Sequence, residues 1–247
     1  MSGLALEYGL CMSRSHYLIN STTNSSSDIA DNFPSAQVIG TDLSPIQPSF
    51  VPPNCTFEIE DLNSVWTYPK NHFDFIHIRE LFGCVSDWDG FFAQAFTHTK
   101  PGGYVEIMEH SVCPVSDDGT VNDESFFTLW GSTVVELGEK FGKSFTIWKE
   151  SRARMERAGF VDVVEERYKW PVNEWPSPES TTQRNDGGKS WSRLRELGIW
   201  NQLRLYNGVE GFTIRLLTTV NGVCGSFLCL KSLLIAGSGP TKLRRTS

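Results

Sequence analysis

The chain has 247 residues, enough to bury one sizeable core and too few for two full domains. Hydrophobic residues make up 39% and charged ones 21%, the balance of an ordinary globular protein. The formal net charge of −7 leaves no broad basic surface, which argues against nucleic acid as a partner.

In chain order, residues 4–12 are apolar but broken by Glu7 and lack a basic leader, so they do not read as a signal peptide. Residues 28–33 read as the end of a helix stopped by Pro34. Strands are expected at 36–42 and 55–60, the second with Asp61 at its tip. A polar turn, Pro69-Lys70-Asn71-His72, leads into a strand at 73–79. Trp88, Phe91, Phe92, Ala95 and Phe96 form the apolar face of a helix over 88–99. Pro101-Gly102-Gly103 then launches a strand at 104–108. A second helix over 124–141 aligns Phe126, Trp130, Val134, Leu137 and Phe141. Another covers 150–158, closed by Gly159, and residues 161–168 alternate like a strand. Residues 171–191 read as a loop, and helices resume at 194–206 and 210–219. This alternation implies βαβ units and a parallel sheet. The apolar run 223–236 contains Lys231 and is too short to cross a bilayer, so no membrane partner is expected. Lys242-Leu243-Arg244-Arg245 reads as a solvated tail rather than a targeting signal. Six cysteines, at 11, 55, 84, 113, 224 and 229, form no Cys-x-x-Cys pair. That pattern fits reduced thiols in a cytoplasmic protein, with a nuclear location left open, better than disulfides or zinc.

The stretch Gln37-Val38-Ile39-Gly40-Thr41-Asp42-Leu43-Ser44-Pro45 carries the most information. A β-branched run ending in a carboxylate reads as a buried parallel strand with Asp42 at its tip, where open α/β sheets bind ligands. Two acceptor oxygens suit the paired hydroxyls of a ribose. A glycine-rich turn normally precedes such a strand, yet residues 16–27 contain no glycine.

Asp42, Asp61, the Phe73-Asp74-Phe75-Ile76 strand and Lys100-Pro101-Gly102-Gly103-Tyr104, in this order, resemble the class I S-adenosylmethionine-dependent methyltransferases. The block from Val38 to Pro48, Val51-Pro52-Pro53-Asn54-Cys55, Phe73-Asp74-Phe75-Ile76-His77-Ile78-Arg79 and Asp117-Asp118-Gly119-Thr120 look more closely like fungal methyltransferase-like proteins of secondary metabolism, relatives of the velvet-complex regulator. The likeness spans roughly residues 28–220. It implies a Rossmann-like three-layer α/β sheet over 15–170, within a single methyltransferase-like domain covering 1–247. A small helical cap is implied from 120–155 and 190–220, with a divergent tail at 221–247. The first and last strands are expected to be degenerate.

The resemblance further implies S-adenosyl-L-methionine as cofactor, with Asp42 on the ribose hydroxyls, Asp61 beside the adenine amino group and Leu62 packed on the ring. A solvated turn acid at Asp42, and an exposed acidic stretch through Glu58, Glu60 and Asp61, are the bland alternatives. The implied activity is methyl transfer to a small molecule by proximity and orientation, with no catalytic side chain assigned. A catalytically impaired homologue with an accessory or regulatory role, and hence a protein partner, is the alternative. A nicotinamide-dependent oxidoreductase also uses an acidic second-strand tip, but the Lys100-Pro101-Gly102-Gly103 launch and the strand order favour the methyltransferase layout.

Two departures from the family stand out. Counted back from Asp42, its glycine turn falls on Ile19, Ser21 and Thr23. Left-handed geometry at a non-glycine residue costs on the order of 1–2 kcal/mol. Two such residues would weaken a cofactor about a hundredfold. Side chains of Ile19 and Thr23 would also compete for the methionine end. From about Asn221 the chain diverges, with 227–236 as a substitute strand. Among other candidates, Glu106, Glu109 and His110 end a strand on the expected substrate side, but Glu109 and His110 read as a satisfied structural pair. His77 and Arg79 share one face by period two; Arg79 could steer an anionic group, but a buried-strand salt bridge reads better, and Cys84 reads as plain packing. Trp130, Trp148, Trp170, Trp175, Trp191 and Trp200 read mostly as core, though such walls suit a flat aromatic substrate.

Overall fold

The computed structural model describes residues 16–20, 23–45, 49–116, 121–173 and 193–206. Its elements are β1 (His16–Asn20), α1 (Thr23–Asn32), β2 (Gln37–Asp42), β3 (Cys55–Ile59), β4 (Phe73–Arg79), α2 (Trp88–His98), β5 (Thr99–Met108), α3 (Phe126–Lys140) and α4 (Ser151–Ala158). A final helix, α5, covers 193–206. The chain divides into two compact units, one of Met1–Asp117 with Gly138–Val164 and one of Asp118–Leu137 with Glu165–Ser247.

The first unit holds a five-stranded sheet in the order β3-β2-β1-β4-β5, with every ladder parallel. β1, expected to be degenerate, instead forms the central strand. It pairs with β2 from His16 to Asn20 and with β4 from Tyr17 to Asn20, and Tyr17, Leu18 and Ile19 are buried. Burial on both faces explains why β4 reads as an almost unbroken apolar run. Tyr17, Ile19, Val38 and Phe75 face one way and form a cluster with Ala30, Ala36 and Cys55, flanked by Ile29 and Phe33. Leu18 and Ile76 face the other way by strand alternation. Leu18 shares a cleft wall with Trp66, whose ring packs edge-on against Phe91 of α2 and stacks on His98, so helices cover both faces.

Gly40 sets how closely α1 approaches β2. A Cβ there would stand 2.5 Å from the Phe57 ring and 2.6 Å from Ser26 Oγ. Asn54 Nδ2 donates across the carbonyls of Ala30, Phe33 and Ala36, tying the end of α1 to the start of β3. α2 starts at Asp87, which accepts from the Gly90 amide. α4 packs on α2 through Arg154 and Arg157, both paired with Asp89, and through Phe96 against Phe160.

Two further expectations change. β5 begins at Thr99 rather than at 104, because Pro101-Gly102-Gly103 lies inside the strand. Gly102 takes φ +81 and the register with β4 shifts between Phe73 and Phe75. Residues 161–168 are not a strand. Alternation alone makes no ladder, and no described strand pairs with them; Val161, Val164 and Tyr168 are exposed. In the second unit α5 is held by Asn201 Nδ2 donating to the Pro171 carbonyl. The expected 210–219 helix, the 227–236 strand and the 117–120 block lie outside the described residues, as do most of the 171–191 loop and the tail.

Candidate functional site

The strand order reverses between β1 and β4, and the carboxyl ends of β1, β2 and β3 converge beside that switch point, where open sheets bind ligands. Asp42 closes β2, and its carbonyl accepts from the Glu60 amide at 3.1 Å, which joins the exits of β2 and β3. Its Oδ1 accepts from the Ser44 amide at 2.8 Å, an Asx turn built by the Ser-Pro sequence. Asp61 follows β3 and is exposed. Its Oδ1 accepts from both the main-chain N–H and Nδ2 of Asn63, each at 3.0 Å. The Asn63 amide first, then its side chain, with Lys143 adding to them, hold the Asp61 carboxyl below the usual carboxylate range.

A small cleft, roomy enough for about one water, lies at these exits, walled by Leu18 and Thr41 of the sheet and by Glu60, Asp61 and Leu62 after β3. Trp66 and Tyr68 complete the wall. Asp42 stands one residue beyond the wall at Thr41, so the structure brings Asp61 and Leu62 into the cleft and leaves Asp42 at its rim. Tyr68 donates to Glu58 Oε2 at 2.6 Å; burial first, then that carboxylate, push the phenol up, so it stays a donor. Trp66 is 8% exposed, and its Nε1 has no hydrogen-bond partner among the described residues. An indole N–H can only donate, and a buried one left unpaired is costly. Gln94 of α2 holds this loop, accepting from the Trp66 amide at 2.7 Å and donating to the Ser64 carbonyl.

An adenosyl group presents a diol, an amino donor, ring acceptors and two flat faces. The carboxylates of Asp42 and Asp61, the Trp66 N–H, and Leu18 with Leu62 match that set in kind. At the methionine end the expectation is corrected. Ile19 is not in a turn: it lies in β1, registered with Gly40 and His77, and its side chain is fully buried in the α1 cluster. Thr23 opens α1. The described non-glycine residues with positive φ are Asn71, Glu80 and Asp162, so the expected strain at Ile19 and Thr23 does not arise. The ladder with β2 simply runs on to Asn20.

The exits of β4 and β5 are built differently. Glu109 accepts from the amides of Leu81 at 2.8 Å and Phe82 at 3.4 Å, and His110 sets its ring edge-on to Phe82. Both sit against one turn, Glu109 through the two amides and His110 through its ring. Burial outweighs those two amides and pushes the Glu109 carboxyl up to about 8. His77 Nδ1 lies 2.7 Å from Glu106 Oε2, its register partner, and Arg79 pairs with Glu80 at 3.6 Å. Cys84 lends its carbonyl to Asn63 Nδ2 and Lys143 Nζ. The tryptophans expected in the core are not there: Trp130, Trp148 and Trp170 are half-buried and Trp200 is exposed, while Trp175 and Trp191 lie outside the described residues. Sequence reasoning missed Asn63, Trp66 and Tyr68; only the Asp61-x-Asn63 spacing of an Asx turn carried a signal.

A family model described as a methyltransferase domain matches residues 26–165. Methyltransferase pytC of Aspergillus terreus is 32% identical over 195 residues, covering 78% of this chain and 56% of the relative. A secondary metabolism regulator of Cochliobolus heterostrophus is also 32% identical, over 78% of this chain and 59% of the relative. The probable methyltransferase tdiE of Emericella nidulans is 32% identical over 78% of this chain and 56% of its own length. The chain thus spans little more than half the length of these relatives. In fold it is similar to Haemonchus contortus phosphoethanolamine N-methyltransferase 2, solved with S-adenosyl-L-methionine, at a TM-score of 0.52 and 15% identity over 95% of this chain and 47% of that one. Among the described residues no helix is long and apolar enough to cross a membrane.

Proposed function

The chain belongs to the methyltransferase-domain family, and from that premise we propose that it is an S-adenosylmethionine-dependent methyltransferase acting on a small molecule in fungal secondary-metabolite biosynthesis. The observation that carries this reading is the pair of carboxylates, Asp42 and Asp61, at adjacent strand exits joined by the Glu60 amide. When bound, S-adenosylmethionine supplies an electrophilic methyl group on a sulfonium. Asp42 accepts from the ribose hydroxyls and Asp61 from the adenine amino group. Leu62 packs on the ring and the Trp66 N–H donates to a ring nitrogen. No residue need form a covalent intermediate; the site holds and orients, and orientation alone lowers such a barrier by several kcal/mol, up to about 10.

A flat aromatic substrate fits the tryptophan-rich composition. In this reading residues 1–247 act as one methyltransferase-like domain, with 120–155 and 190–220 as its helical cap, in the cytoplasm or nucleus. Isothermal titration with S-adenosylhomocysteine tests the site. Micromolar binding that Asp42→Ala and Asp61→Ala each weaken supports it; no heat at millimolar ligand refutes it.

A second reading, an accessory or regulatory protein with a protein partner and no turnover, is favoured by the glycine-free segment at residues 16–27 and by the relative named as a regulator. Transfer of labelled methyl to any small molecule by the purified protein rules it out.

A further inference from the structure

Resting on the reading of Asp61 as an adenosyl contact, we propose that Asn63 is the positioning residue of this site, presenting the Asp61 carboxylate to the ligand and anchoring it to the loop after β4. The main-chain N–H and both side-chain polar atoms of Asn63 are used. Its main-chain N–H and Nδ2 both donate to Asp61 Oδ1 at 3.0 Å, so the described bonds fall on one oxygen and leave Oδ2 for a ligand donor. The second Nδ2 hydrogen goes to the Cys84 carbonyl at 3.3 Å. Asn63 Oδ1 accepts from the amide and the hydroxyl of Ser86, both at 2.9 Å.

Two donors on the oxygen and two acceptors on the nitrogen fix which way the amide is turned. Aspartate would face Asp61 with a like charge, and leucine would offer no bond; asparagine is the side chain of that size that supplies both. Asp61 itself is exposed and would otherwise rotate freely, so a carboxylate already held in place binds with less ordering cost. Lys143 Nζ, bound to the same Cys84 carbonyl, adds a positive charge beside the carboxylate. The network therefore links the exit of β3 to the loop after β4, on the two sides of the switch point.

A residue that only staples two loops would leave the titration of Asp61 unmoved, and that separates the roles. The experiment follows the Asp61 carboxyl by NMR titration of the free protein and S-adenosylhomocysteine affinity by calorimetry across the acid range. It compares wild type, Asn63→Ala, the isosteric Asn63→Asp and Ser86→Ala. Asn63 donation favours the ionised carboxylate, so removing it moves both the Asp61 titration and the acid limb of binding to higher pH. Asn63→Ala keeps the main-chain donor and shifts part of the way, with affinity reduced about three- to tenfold. Asn63→Asp shifts further, because it sets a second negative charge against Asp61.

Ser86→Ala removes the hydroxyl bond of the staple while keeping the Ser86 amide bond and the Asn63–Asp61 bonds, and leaves the acid limb where it was. An unmoved Asp61 titration in both Asn63 variants, or an equal shift in Ser86→Ala, overturns the proposal. If the carboxyl shifts as expected but wild type binds no S-adenosylhomocysteine, the adenosyl reading is what fails, and the positioning role falls with it.

Discussion

The left and right exits of the sheet use the same side-chain chemistry to opposite ends. After β3, Asp61 sits in the open with two amide donors from Asn63 and is held ionised. After β5, Glu109 also receives two amide donors, yet burial pushes it up to about 8 and keeps it largely protonated at neutral pH. Hydrogen-bond count does not separate them; access to water does. The lesson is that an acid at a strand tip is a ligand candidate when exposed beside a cleft, and a brace when enclosed.

The contrast breaks most directly in binding. Asp42→Ala is expected to lower S-adenosylhomocysteine affinity about a hundredfold, through lost charge-assisted hydrogen bonds of roughly 1.5–3 kcal/mol each. Glu109→Gln should leave affinity within about twofold by calorimetry, since a brace touches no ligand. A comparable loss in both variants would erase the distinction.

Stability against pH sharpens it next. A carboxyl raised from 4.5 to about 8 on folding binds its proton more tightly in the folded chain. Its contribution is complete below about pH 4.5 and is lost as pH climbs through about 8. Wild-type Tm should therefore fall over that interval by about 10–20 °C more than that of Glu109→Gln, followed by scanning calorimetry. An identical slope in the variant would place the titration elsewhere.

Smaller effects follow on the left. Tyr68→Phe removes the donor to Glu58 on the cleft wall and should weaken S-adenosylhomocysteine about threefold. Arg152→Ala breaks an exposed pair with Glu156 on α4, away from both exits, and should move Tm by less than about 1 °C.

Much of this was legible in the residues. β4 matches its expected bounds, 73–79, because a strand buried on both faces announces itself as continuous apolar sequence. Asp42 fell at the tip of β2 for the same reason, whereas β3, before Asp61, is a partly exposed edge strand. The start of β5 was hidden because Pro-Gly-Gly spells a turn to any local reading, and only the pairing with β4 makes it a bulge. Residues 161–168 misled in the reverse sense, since alternation has no outcome without a neighbour. β1 was obscured by its polar surroundings, and its place at the centre of the sheet comes from two partners distant in sequence. Trp66 gave no local sign of its role; its place on the cleft wall depends on α2.

Gln94 carries one last consequence. Because it grips the Trp66 amide and the Ser64 carbonyl from α2, the 62–68 segment cannot lift without breaking bonds to a helix that is itself clamped to α4. Deuterium uptake at the Trp66 amide thus reports separation of that segment from α2, and a ligand settling in the cleft would slow the exchange from outside the helix.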